Sequence, residues 1–234
     1  MAVSARHELK YFISQSQYQV LSRLLRQVLW TDSHADENNE YHIRSLYFDT
    51  LSNGAVHEKV SGVANRNKYR IRIYNHSDKI IRMECKSKLD IYISKRSTPI
   101  SRDLCEQLIA ADPTGLENTS SGLLRDVYRE MRLHLLKPVV MVDYVREAYI
   151  HPAEEVRITF DKQLRSGLGA TDLFNKQLPV YPPLKDPDQI ILEVKYNRML
   201  PPYIADLLSS AAGWAQRSAI SKYILCRQHE GMDY

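Results

Sequence analysis

Arginine and lysine side chains that could bind an anion lie mostly at alternate positions between residues 68 and 88, in the stretch KYRIRIYNHSDKIIRMECKSK. Arg70 and Arg72 alternate with isoleucine, and a period of two is typical of a β-strand. Side chains two positions apart on a strand project in the same direction about 7 Å apart. After a predicted turn at 75–78 the alternation resumes, and its charged positions are Arg82, Glu84, Lys86 and Lys88. The stretch is therefore interpreted as a β-hairpin with one charged face.

Charges recur at alternate positions in other predicted strands, and the residues between them are mostly apolar. These charged positions are Arg6, Glu8, Lys10, Arg146, Arg157, Asp161, Glu193 and Lys195. Such a face is either the solvated side of an open sheet or the lining of a closed barrel, and the periodicity alone leaves both open. A closed lining would have to be wide and wet, because each charge removed from water costs several kcal/mol unless it is paired or hydrated. Since most of these groups are basic, a lining of this kind predicts a polyanionic ligand.

Helical spacing of apolar residues alternates with the strands along the chain. The predicted helices are 14–30, 102–111, 123–136 and 201–228, the last with breaks at Gly213 and near Ser221. The predicted strands outside the hairpin are 6–13, 41–50, 92–100, 139–150, 156–167 and 190–197. Loops or irregular structure are expected at 31–40, 54–67 and 175–189. If the helices cover the apolar side of a closed sheet, the charged faces must line its inside.

Composition limits the class of protein. The 234 residues allow one large domain or two small ones. Strands occur in both halves and we find no linker in the sequence, so a single domain over 1–234 is predicted. A net charge of +4 allows a local basic site without indicating a polybasic protein. Three scattered cysteines favour neither a disulfide framework nor a zinc ribbon and indicate a reducing compartment. We find no signal peptide and no apolar run long enough for a membrane span, so a cytoplasmic location is predicted.

An ordered set of short motifs covers the chain from about residue 6 to residue 226. The motifs are RHELKYFI, RSLYFDT, KYRIRIY, MECKSK, SKRS, VRITFD, LEVKYN and ISKY. Together they resemble the VTC domain, the polyphosphate polymerase domain of the triphosphate tunnel metalloenzymes, which are relatives of the CYTH proteins. The resemblance implies an α+β fold in which an antiparallel β-barrel forms a triphosphate tunnel and helices cover its apolar outer face. It also implies ATP and polyphosphate as ligands, manganese or magnesium as the divalent metal, and transfer of the ATP γ-phosphoryl group to a growing polyphosphate chain.

The resemblance assigns roles to individual residues. The residues implied to bind phosphate are Lys10, Arg70, Arg72, Lys86, Lys95 or Arg96 of SKRS, Arg157, Lys195, Ser221 and Lys222. Arg70, Arg72 and Lys222 are further implied to act on the transferring group, and Glu193 is implied to hold the metal. Arg70, Arg72, Lys86, Arg157 and Lys195 are expected to converge on one cavity.

The first strand departs from the pattern of many tunnel hydrolases. They begin with E-x-E-x-K, whereas the corresponding positions here are Arg6, Glu8 and Lys10. One metal-binding carboxylate is thus replaced by a cation, which argues against a two-metal hydrolase. Glu8 is then either a metal ligand or the partner of an adjacent arginine.

Three other functions stay open at this point. A tunnel of the same kind could sense polyphosphate or inositol polyphosphates without turnover, or could hydrolyse tripolyphosphate. Glu193 favours an enzyme, because pure anion binding has no need of a carboxylate. A single-strand nucleic-acid binder is disfavoured, although tyrosines interleave with the basic residues, because several of these tyrosines fall on faces needed for packing. We therefore predict no nucleic-acid partner, and no membrane segment in the chain itself.

Overall fold

The computed structural model of the chain describes residues 7–90, 92–213, 215 and 217–232, so Arg6 lies outside the described residues. The strands are β1 His7–Ile13, β2 Trp30–Thr31, β3 Glu40–Asp49, β4 Arg66–Tyr74, β5 Ser77–Leu89, β6 Tyr92–Pro99, β7 Lys137–Ile150, β8 Arg157–Ser166 and β9 Ile190–Tyr196. The helices are α1 Gln15–Val28, α2 Gly54–Val60, α3 Arg102–Ile109, α4 Gly122–His134, α5 Pro202–Ala212 and α6 Lys222–His229, with a short 3₁₀ turn at Thr114–Leu116.

The strands form one sheet in the order β1-β9-β8-β7-β3-β4-β5-β6, and β2 pairs with β7 off this path. The described residues group into two compact units, each built from separate parts of the chain. Unit 1 takes in the described residues within 1–42, 144–164 and 184–221, and unit 2 takes in those within 43–143, 165–183 and 222–234. The single domain over 1–234 stays a prediction.

The hairpin of β4 and β5 organises the sheet of unit 2. Asn75 and His76 both have positive φ, of 50° and 52°, as a two-residue hairpin turn requires. Tyr69 lies opposite Cys85, and Ile71 lies opposite Met83, so the apolar residues of both strands share one face. Helices α3 and α4 cover this face with buried residues, which are Cys105, Leu108, Leu123, Leu124, Val127 and Met131.

In unit 1 the strands β1, β9 and β8 pack their apolar face against α1 and α5. Helix α1 begins at a capping box in which Ser14 and Gln17 satisfy each other's backbone groups. Its helical spacing places Leu21 and Leu25 fully inside. The residues of the strands in this core are Ile13, Ile158, Phe160, Ile190, Leu192 and Val194.

The predicted fold class is confirmed: the chain is α+β, its paired strands are antiparallel, and helices cover the apolar face. Two elements were not expected. Helix α2 lies in the predicted loop 54–67, and the short strand β2 lies at the end of the first predicted helix. Strand β7 also begins before Pro138, where the sequence predicted only the end of a helix.

Among the described residues, no helix is both long and apolar enough to cross a membrane.

Candidate functional site

The face of unit 2 opposite the helices is strongly basic. Arg70 lies opposite Tyr47 of β3 on one side and opposite Glu84 of β5 on the other. The same register places eight basic residues on this face of β4, β5 and β6, which are Arg66, Lys68, Arg70, Arg72, Arg82, Lys86, Lys88 and Lys95. Among the described, paired positions of this face, Glu84 is the single carboxylate. We refer to this surface as the basic face.

Glu84 is buried at the centre of the basic face, with 1% of its side chain exposed. One carboxylate oxygen accepts hydrogen bonds from Nε and Nη2 of Arg70, at 2.8 and 2.7 Å. The other oxygen is 2.5 Å from Nζ of Lys95. Burial alone would raise the pKa of Glu84, but the charges of Arg70 and Arg72 and the bond from Lys95 outweigh it and lower this pKa to about 2. Glu84 is therefore an anion at any physiological pH.

Tyrosine and serine side chains of β3 hold the two arginines from the other side. Nη1 of Arg70 donates to the hydroxyl of Tyr47 at 2.7 Å, and Nε of Arg72 donates to the hydroxyl of Ser45 at 3.1 Å. Burial would raise the pKa of Tyr47, yet the charges of Arg70 and Arg72 lower it overall. Both guanidinium groups are thus held by hydroxyl groups of β3, and that of Arg70 is also held by the carboxylate of Glu84 on β5.

The start of helix α6 meets the basic face through Tyr223. Its buried ring lies 5.1 Å from that of Tyr47, and the ammonium of Lys68 lies 4.7 Å from the centre of the Tyr223 ring. The Tyr223 hydroxyl donates to Asp49 at 2.5 Å, and the other oxygen of Asp49 accepts from the backbone of Thr50 and Ala55. These contacts fix the first turn of α6, which begins at Lys222.

The two basic residues of the SKRS motif lie on opposite faces. Lys95 is opposite Lys86 in the ladder and so belongs to the basic face. Arg96 is opposite Cys85, on the face that the helices cover, and bonds Asp126 of α4 at 2.5 Å. The structure therefore places Lys95, and not Arg96, with the other predicted phosphate-binding residues of unit 2.

Unit 1 carries a second charged face, which we call the mixed face. Its paired positions on β1, β9 and β8 include three basic and three acidic residues, which are Lys10, Lys195, Arg157, Glu8, Glu193 and Asp161. The basic and acidic charges balance, whereas the basic face has a large excess of cations. The two faces thus differ in net charge.

Glu193 is a buried carboxylate of the mixed face with three cations near it. Nζ of Lys195 lies 2.6 Å from one Glu193 oxygen, Nζ of Lys10 lies 3.4 Å from the other, and Nη2 of Arg146 lies 3.8 Å away. Lys10 is also 3.4 Å from Glu8, so one ammonium group bridges the two carboxylates. Burial lowers the pKa of Lys195 to about 8, although Glu193 acts in the opposite direction.

Glu8 and Glu193 offer oxygen donors, which magnesium and manganese prefer. Both carboxylates lie within 4 Å of the same ammonium groups, since Lys195 is also 3.8 Å from Glu8. A divalent cation could replace these monovalent charges at the same oxygens. The donor set therefore fits such a metal if the lysines turn away.

Arg146 and Arg157 are each anchored by an aspartate. Arg146 binds both oxygens of the buried Asp161, at 2.6 and 2.7 Å, a bidentate geometry that fixes the guanidinium plane. Nη2 of Arg157 donates to Asp32 at 2.6 Å and to the hydroxyl of Tyr41 at 2.9 Å. Arg146 had appeared in the sequence only as one charge of the alternating series, and Asp32 lay in a predicted loop.

The segment before α6 runs along β1. The amide of Ser218 donates to the carbonyl of Lys10, and Nζ of Lys10 donates to the carbonyl of Ile220 at 3.2 Å. Ser221, which follows, is half-buried in unit 1. Of the predicted site residues, Lys10, Arg157, Glu193, Lys195 and Ser221 thus belong to unit 1.

The strand register places four of the predicted site residues on the basic face, and these are Arg70, Arg72, Lys86 and Lys95. Lys222 belongs to the same unit and contributes charge near Tyr47. The convergence of this set with Arg157 and Lys195 on one cavity stays a prediction.

Acid stability tests the charge of Glu84. Its pKa is lowered from an ordinary 4.5 to about 2, so the ion pairs stabilise the fold above pH 4.5 and this contribution is lost as the pH falls through 2. A shift of this size corresponds to about 3 kcal/mol. Urea unfolding of wild type and Glu84→Gln should show a gap in unfolding free energy at pH 6 that narrows by pH 3. A gap that is equal at both pH values would contradict the assignment.

The family model of the VTC domain matches residues 5–229. None of the curated proteins compared matches the chain. Among solved structures, a Bacillus halodurans protein provisionally described as an adenylate cyclase is 14% identical, with a TM-score of 0.52, and the match covers 93% of this chain and 96% of that one. This likeness shows that the two chains share a fold.

Two archaeal structures are more distant. A conserved protein from Pyrococcus furiosus is 10% identical, with a TM-score of 0.43 over 89% of this chain and 90% of that one. A protein from Pyrococcus horikoshii is 12% identical, with a TM-score of 0.44 over 90% of this chain and 94% of that one.

Proposed function

Because the chain belongs to the VTC domain family, whose model matches residues 5–229, we propose that it is a polyphosphate polymerase using ATP. The observation that carries the proposal is the basic face, with eight cations and one carboxylate at its paired positions. Such an excess of positive charge calls for an extended polyanion. Phosphates at successive positions of a chain match basic side chains that repeat along a strand.

The basic face would bind the phosphates. Arg70 and Arg72 project from the same side of β4, and their planar forks suit phosphate oxygens. Lys86 and Lys95 add point charges on the neighbouring strands. Lys222, at the start of α6, would act on the transferring group together with the two arginines.

The mixed face would hold the metal. Glu193, with Glu8 beside it, would hold a divalent metal, manganese or magnesium, and Lys10, Arg157, Lys195 and Ser221 would contact phosphate. A bound metal would supply Lewis-acid neutralisation of charge on the phosphoryl group. When the carboxylates are so occupied, the ammonium groups of Lys10 and Lys195 would be released towards phosphate oxygens.

The transfer itself asks little covalent work of the protein. An oxygen of the terminal phosphate of the acceptor chain attacks the γ-phosphorus of ATP, and the bond from that phosphorus to the β–γ bridging oxygen breaks. ADP leaves, and the chain is longer by one phosphate. The nucleophile is already an anion, so no general base is assigned.

Incubation of the full chain with ATP and manganese tests the proposal. Long polyphosphate should appear on a gel, and ADP should form in step with the phosphate incorporated. Omission of the metal should abolish the polymer. Release of free phosphate without polymer would contradict the polymerase and indicate a tripolyphosphatase-like hydrolase.

A polyphosphate-binding module without turnover is the second candidate. It is supported by the close pairing of Glu193 with Lys195, Lys10 and Arg146, because a carboxylate so well neutralised needs no metal. Tight binding of polyphosphate with intact ATP in the same assay would favour this function.

A further inference from the structure

The basic face contains one residue whose charge has the same sign as that of the proposed ligand. Glu84 is the single carboxylate among the described, paired positions on β4, β5 and β6, where eight basic residues lie. It lies among them on the central strand of the three, and 1% of its side chain is exposed. A carboxylate in this place repels any phosphate that approaches its neighbours.

Glu84 already forms ion pairs with cations that a phosphate would bind. Its two oxygens contact Arg70 on one side and Lys95 on the other, at 2.7 and 2.5 Å. These are the distances of charge-assisted hydrogen bonds. A phosphate that binds the same two side chains must therefore share them with this carboxylate or displace it.

We propose that Glu84 is a built-in competitor of the ligand, which lowers the affinity of the basic face for polyphosphate so that a long chain can move and be released. The inference rests on the anion-binding part of the proposed function and gives Glu84 a role in setting affinity. Each phosphate bound near Arg70 and Lys95 exchanges one ion pair for another instead of adding a new one.

A second explanation makes the opposite prediction. If Glu84 only holds Arg70 and Lys95 in position for phosphate, its neutralisation should weaken binding, because the cations would lose their orientation. Tyr47 bears on this choice, since its hydroxyl accepts from Nη1 of Arg70 at 2.7 Å and holds the guanidinium without Glu84. The arginine is then oriented even when the carboxylate is gone, which favours competition.

Calorimetry with tripolyphosphate, without metal and at fixed salt, tests the proposal on the full chain. Glu84→Gln keeps the shape and removes the charge, and it should tighten binding by about tenfold, which corresponds to about 1.4 kcal/mol. Asp126→Asn is the matched control, because Asp126 bonds Arg96 on the opposite face of the same strands. This control should change the affinity by less than about twofold, since it removes the same charge without competing for the ligand's partners.

The same substitution in a Lys95→Gln background covers the case in which Glu84→Gln alone does not fold. There the carboxylate still competes for Arg70, so adding Glu84→Gln should again tighten binding. Unchanged or weaker binding in the folded variants would overturn the proposal, as would equal tightening by Asp126→Asn.

The proposal that the chain is a polymerase and the proposal for Glu84 can fail independently. Wild-type protein that binds tripolyphosphate but makes no polymer from ATP would end the enzymatic proposal, and the response of binding to Glu84→Gln would still decide the role of Glu84. Wild-type protein that binds no tripolyphosphate would overturn the competition.

Discussion

Replacing Arg70 and Arg72 together by alanine is expected to weaken tripolyphosphate binding by about 3–6 kcal/mol, because each charge-assisted contact contributes about 1.5–3 kcal/mol. The two side chains share the basic face on one strand. The loss of Arg70 also leaves Glu84 with one fewer cation to neutralise it, which adds repulsion. Calorimetry at fixed salt measures the change.

The control removes two arginines from the helices that cover the other face. Arg102 of α3 and Arg129 of α4 are both largely exposed and pair with surface carboxylates. Arg102→Ala with Arg129→Ala lowers the net charge equally and should leave the affinity nearly unchanged. If the Arg70 and Arg72 variant loses less than about tenfold, equal to 1.4 kcal/mol, the anion binds elsewhere.

Glu193→Gln is expected to lower metal-dependent polyphosphate synthesis at least about a hundredfold, comparable to the loss of one strong electrostatic stabiliser. The amide keeps the shape of the side chain but loses the charge that would hold the metal. Metal-free binding of tripolyphosphate should persist or tighten, because a repelling carboxylate is gone. Lys195, which lies 2.6 Å from Glu193 in the wild type, also loses its nearest carboxylate. Polyphosphate synthesis and metal-free binding of tripolyphosphate are measured on the same protein preparations.

Glu155→Gln, in the exposed loop before β8, is the control for net charge and should leave synthesis unchanged. Unchanged synthesis in Glu193→Gln would remove Glu193 from the mechanism. Loss of binding together with synthesis would indicate that Glu193 supports the fold, as the contacts with Lys10 and Arg146 would then suggest.

The alternation of charged and apolar residues was enough to predict the basic face. A period of two fixes which side chains share a face once the strand is recognised, and so Arg70, Arg72 and Lys86 were placed together before any coordinates. The period could not decide between Lys95 and Arg96, because adjacent basic residues match either face. The ladder decides it, since Arg96 is opposite Cys85.

Other features depend on contacts that no sequence pattern indicated. Helix α2 was missed because it is only seven residues long, too short for a helical period to show, and its N-cap, Asn53, makes no side-chain capping bond. The amides at its start are bound instead by Asp49 and Thr50, from the end of the preceding strand. Asp32 was assigned to a polar loop, and nothing local indicates that it would bind Arg157 at 2.6 Å.

The pairing of β1 with β9 has a consequence for how the protein is made. His7 is opposite Tyr196, and Glu8 is opposite Lys195. During synthesis β1 therefore stays unpaired until the ribosome has made β9, nearly 190 residues later. Closing such a long loop slows folding. Until then β1 has an unpaired edge open to other chains, and a nascent chain stalled before β9 should be prone to aggregate and should depend on a chaperone.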